Sequence, residues 1–140
     1  MGFLSKLFGG SGSSDPYVEI PDDLSSNGVI RMAVGSVVQE LGGNCATLEP
    51  DSDQEGWVQV MDGQLNCAYP HAGDPQALFA ELLSNPLVDE FEDFEPEVYM
   101  MFSLKSMNED QLSVLIERYF KEVLSIDTGS CRLLLRMEKV

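Results

Sequence analysis

The chain has 140 residues, 24 Asp and Glu against 8 Lys and Arg, and a formal net charge of -16, yet 44% of its residues are hydrophobic. That apolar content excludes a disordered acidic tail, and the length fits one domain that buries roughly two-thirds of its unfolded surface. The negative field disfavours nucleic acid and anionic membrane as partners of the folded part and favours cationic ones. Its source is concentrated: from Met32 to Leu104 there is no Lys or Arg, and there are fourteen Asp and Glu.

Residues 1–14 stand apart. Phe3, Leu4, Leu7 and Phe8 fall on one face of a short amphipathic helix opposite Ser5 and Lys6, and Gly9 to Ser14 follow as a flexible Gly/Ser linker. Eight residues are too few for an isolated helix in water. The segment is therefore either a frayed end or an anchor, made by Phe3, Leu4, Leu7 and Phe8, that folds on a membrane or a partner groove. Gly2 is not an acylation signal, because Lys6 stands where Ser or Thr is needed. No secretory signal is expected from residues 1–10, and no apolar run is long enough to span a bilayer. A cytoplasmic location is the expectation.

The domain, residues 15–140, starts with a short strand expected at Tyr17–Ile20. A first helix is expected over 27–41, where Ile30, Val34, Val37, Val38 and Leu41 recur at helical spacing before Gly42 and Gly43. Three strands follow, at 44–49, 56–61 and 64–69. Asp62-Gly63 suits a two-residue type I′ hairpin turn between the last two. Asp74-Pro75 is an N-cap followed by Pro at the first helical position, and Leu78, Phe79, Leu82 and Leu83 form the expected buried face of the second helix. After an acidic segment, Val98 to Leu104 reads as a strand. Asn108 and Gln111 cap a third helix with a stripe of Leu112, Leu115, Ile116, Tyr119, Phe120, Val123 and Leu124. Cys131 to Met137 is the last strand. This order, α-β-β-β-α-β-α-β, implies an α+β fold: two layers, with a mostly antiparallel sheet and helices packed on one face.

Candidate chemistry is sparse. Asp51-Ser52-Asp53-Gln54-Glu55-Gly56 matches the first half of an EF-hand loop, but no helix flanks it, so a polar connection is expected. The single His71 lies in a Gly/Pro loop with no nucleophile motif around it. Cys45, Cys67 and Cys131 lack metal-ligand spacing and are expected to be buried and reduced, with pairing between any two left open. No catalytic residue, metal site or cofactor is expected. The acidic segment Asp89-Glu90-Phe91-Glu92-Asp93-Phe94-Glu95-Pro96-Glu97 is the one place where charge and aromatics alternate. Either both Phe dock into the core while the acids face water, or Asp89 to Glu95 presents Phe and charge to a basic amphipathic partner.

Size, acidity and the order of elements resemble the type III secretion chaperone fold and its YbjN-like relatives. The matching segments are Ile30 to Leu41, Asn44 to Tyr69, Pro75 to Leu83, Val98 to Leu104 and Leu112 to Leu124. The resemblance implies a domain that binds a protein segment, with a homodimer as one form of it. Two departures stand against the pattern: one strand where further strand structure is implied after the second helix, and a strand after the last helix. The expected function is thus a non-enzymatic acidic interaction or chaperone-like domain. An adaptor tethered by its N-terminal tail is the alternative, and a small enzyme is the third.

Overall fold

The computed structural model describes residues 17–39, 44–52 and 55–139. Helix α1 (Ser26–Gln39) leads into strand β1 (Asn44–Pro50) and the hairpin of β2 (Val58–Met61) and β3 (Gln64–Ala68). Two single-turn helices follow, α2 (Pro75–Leu78) and α3 (Ala80–Leu83), then β4 (Val88–Glu95), β5 (Tyr99–Leu104), α4 (Glu109–Glu122) and β6 (Leu133–Lys139). The six strands form one sheet in the order β4-β5-β3-β2-β1-β6, and every neighbouring pair is antiparallel. The fold is α+β, two layers deep, with the helices on one face of the sheet.

Local chemistry sets several boundaries. Asn108 Oδ1 accepts the Gln111 amide at 3.0 Å, so α4 begins where the cap places it. Asp74 caps α2 through the Gln76 amide, with Pro75 at the first position. The second helix is not continuous, however. It breaks at Phe79 (φ -128°, ψ 39°), and Leu78, expected in the buried face, is 54% exposed. Leu82 is buried, while Phe79 and Leu83 pack at the core's edge. In the β2–β3 hairpin Met61 pairs with Gln64, but only Gly63 has positive φ (78°). The turn is therefore not type I′, which needs positive φ at Asp62 as well. Tyr17–Ile20 is not a strand. Tyr17 makes a single bridge to Arg136, and the Val18 amide donates to Leu135 O.

The largest correction concerns the acidic segment. Val88–Glu95 is a strand paired to β5, so two strands, not one, separate the second and last helical regions. Alternation in β1 to β6 divides the sheet's side chains sharply. Ala46, Leu48, Val58, Val60, Leu65, Cys67, Met100, Phe102, Leu133 and Leu135 lie under the helices in one apolar cluster. Helix α1 adds Val29, Ile30, Ala33, Val34 and Val37, and α4 adds Leu112, Leu115, Ile116, Tyr119 and Phe120. The Tyr119 hydroxyl donates to Ala68 O at 2.6 Å, which ties α4 to β3. The intervening residues point to the helix-free face. There Arg136, Thr47, Gln59, Asn66, Met101 and Asp93 form one row across all six strands.

Candidate partner-binding edge

Strand β4 is an edge of the sheet, and among the described residues no strand pairs with its outer side. In a regular strand Phe91 and Phe94, three residues apart, would face opposite ways. Two register shifts prevent this. Val88 pairs with Leu104, Phe91 with Phe102 and Phe94 with Met100, so three steps on β4 match two on β5, twice. Each shift inserts one extra residue as a bulge. Val88, Phe91 and Phe94 thereby share the helix-covered face, and Asp89, Glu90, Glu92, Asp93 and Glu95 are exposed.

Both Phe rings are half-buried against the core with centroids 5.7 Å apart. The acids face water, as the first of the two alternatives expected, yet the rings keep part of their surface beside them. Two of the carboxylates, and the backbone of a third acid, are held by polar neighbours. Tyr99 OH donates to Asp93 Oδ2 at 2.6 Å, and that bond is the main cause of a raised Tyr99 pKa. Gln64 Nε2 donates to Glu92. Ser103 Oγ accepts the Glu90 amide at 3.1 Å. Among the described residues no Lys or Arg lies within ion-pairing distance of the five carboxylates. Lys105 stands at the start of this edge, its amide donating to Leu87 O at 2.8 Å, while Arg118 pairs with Glu122 on α4, and Arg132 and Arg136 lie at the β6 side. Sequence reading missed Gln64, Tyr99 and Ser103 as members of this edge. Only the β3–β5 and β4–β5 registers bring them to it.

Other candidates are dispersed. In the Asp51–Gly56 loop, positions 53 and 54 lie outside the described residues. Among those described, no group of three or more His, Cys, Asp and Glu could hold a metal ion. His71 is not simply a surface loop residue. Its Nε2 is 2.8 Å from Val123 O, and its ring sits between Tyr69 and Phe79, so it joins the loop to the end of α4. Cys45 and Cys67 are buried free thiols, and burial pushes the Cys45 pKa up to about 12. Cys131 is also free but only half-buried, short of the burial expected for all three. Met100 is in the core and Met101 on the opposite face. The tail residues Phe3, Leu4, Leu7 and Phe8 lie outside the described residues. Among the described helices none is long and apolar enough to cross a membrane. The chain matches no protein-family model, no characterised protein and no solved structure.

Proposed function

We propose that this protein is a non-enzymatic, acidic protein-interaction domain of chaperone-like form, which captures a basic or amphipathic protein segment along β4. The observation that carries the reading is an uncovered sheet edge whose five carboxylates make no ion pair among the described residues. Sheet edges offer unpaired backbone groups to an added strand, and bulges and charge deter pairing with another acidic edge. A cationic segment is attracted where an acidic one is repelled, so the same charges select the partner. The half-buried Phe91 and Phe94 supply an apolar contact within that field. The second strand after α2 and α3 supports the chaperone-like form, since it removes one of the two departures from the resemblance, the missing strand. Strand β6 remains a departure from it.

The test is binding of a Lys/Leu amphipathic peptide, measured by calorimetry across salt concentrations. Changing Asp89→Asn, Glu90→Gln, Glu92→Gln and Asp93→Asn together should weaken binding about tenfold or more and flatten the salt dependence. Neutralising four exposed acids elsewhere, Asp23, Glu55, Asp62 and Glu109, should do much less. Equal losses from the two sets would reduce the effect to net charge and defeat the assignment to β4.

A further inference from the structure

An exposed sheet edge takes a protein segment in one of two ways: as an added strand held by backbone hydrogen bonds, or as a helix laid against its side chains. Strand β4 obstructs the first way. The Phe94 amide is taken by Asp93 Oδ1 at 2.9 Å. Ser103 Oγ accepts the Glu90 amide at 3.1 Å and donates to Glu90 O at 3.3 Å, so both backbone groups of Glu90 are engaged. The two bulges, one between Val88 and Phe91 and one between Phe91 and Asp93, break the even spacing of backbone groups on which a further ladder depends.

Side chains are what this edge presents, and they form a two-sided strip. Phe91 and Phe94 lie on the helix-covered side, half-buried, with ring centroids 5.7 Å apart. Side chains three or four residues apart on a helix are separated by a similar distance, about 5–6 Å. Asp89, Glu90, Glu92, Asp93 and Glu95 are exposed along the same strand and make no ion pair among the described residues. The eight residues of β4 span roughly 25 Å. A helix of about 16 residues has that length.

We propose that the partner segment lies along β4 as a basic amphipathic α-helix of about four turns, with its apolar stripe on Phe91 and Phe94 and its Lys or Arg side chains against the carboxylates from Asp89 to Glu95. The inference rests on the reading of β4 as the binding edge and adds the conformation and residue pattern of what binds there. Charge complementarity fixes the polar side of the helix: an acidic helix is repelled, and a wholly apolar one would desolvate carboxylates without pairing them. The Phe pair fixes the other side.

The probes are two monomeric Lys/Leu peptides of about 16 residues and identical composition. One spaces Leu for a single helix face, and the other alternates Leu with Lys as a strand would. Calorimetry with the full chain should show the helix-patterned peptide binding about tenfold or more tightly than the alternating one. Its carbon-13 Cα shifts should move to helical values on binding, with its Leu methyl groups in nuclear Overhauser contact with the Phe91 and Phe94 rings. A Pro at its centre should weaken binding about tenfold or more, because an interior Pro breaks a helix. Equal or tighter binding of the alternating peptide, or extended Cα shifts in the bound state, would overturn the helix and leave β4 standing as the binding edge. Helix-patterned binding that keeps its affinity after Asp89→Asn, Glu90→Gln, Glu92→Gln and Asp93→Asn are combined would overturn the β4 reading and the helix with it. Binding of neither peptide would do the same.

Discussion

Leu65 and Asn66 are consecutive residues of β3, 0% and 5% exposed, and they face opposite environments. Leu65 packs in the apolar cluster beneath the helices. Asn66 lies on the face no helix covers, with its side-chain oxygen unpartnered. The same contrast runs along β1 and β2: Leu48 and Val58 on one face, Thr47 and Gln59 on the other. Equal burial therefore has opposite physical meaning on the two sides. Under the helices it stabilises through removal of apolar surface from water. On the other face it costs free energy wherever a polar group lacks a partner. The first face holds the fold, and the second leaves Gln59 Oε1 and Asn66 Oδ1 without partners.

The sharpest way to break this contrast is to hollow out the helix-covered face. Phe102→Ala should cost about 3–5 kcal/mol in urea unfolding, because its fully buried ring pairs with β4 through Phe91 and lies in the central cluster. A loss under 1 kcal/mol would mean the core has been misplaced. The thiols compare the two faces by pH. Burial raises both Cys45 and Cys67. A raised folded pKa contributes stability that is full below the unfolded value near 9 and is lost as pH rises through the folded one. Stability should thus fall from about pH 9 toward 12, and Cys45→Ala should make that decline shallower; an unchanged alkaline profile would contradict it. Tyr119→Phe removes the hydrogen bond to Ala68 O and should cost about 1–2 kcal/mol, read from the same unfolding curves. Removal of the α4 cap by Asn108→Ala should cost about 1 kcal/mol, with the loss confined to helix start as seen by amide exchange. The smallest effect is expected on the polar face. Gln59→Met keeps the shape, deletes an unmet acceptor and gives up only the long 3.3 Å bond to Thr47 Oγ1, so stability should change by less than about 1 kcal/mol or rise. A large loss there would show that the Gln59 amide is satisfied in solution.

Legibility in the sequence followed the range of the interactions involved. Helix α4 was readable because its signals are local: a cap at Asn108 and a stripe of apolar residues at helical spacing. The β2–β3 hairpin was readable for the same reason, through Asp62-Gly63 between alternating arms, although its turn type was not. Strand β4 was not recognised. Its apolar residues Val88, Phe91 and Phe94 recur every third position, which alternation does not produce, and only the bulges against β5 reconcile that spacing with a strand. The break at Phe79 escaped notice because the segment's helical spacing does not reveal where packing interrupts it. The acids of the candidate edge were visible in the sequence, but their shared edge and its polar neighbours were not.

Composition, capping residues and short-range periodicity were enough to determine an acidic α+β domain with helices on one side of a sheet, since each depends on residues within a turn or a hairpin of one another. Tertiary structure decided which strands are neighbours, and hence everything that depends on two distant segments meeting. The pairing of β1 with β6 puts Arg136 beside Thr47, and β3 with β5 puts Asn66 beside Met101. Such contacts carry no local signature, because the free energy that selects them comes from burying the whole helix-covered face at once.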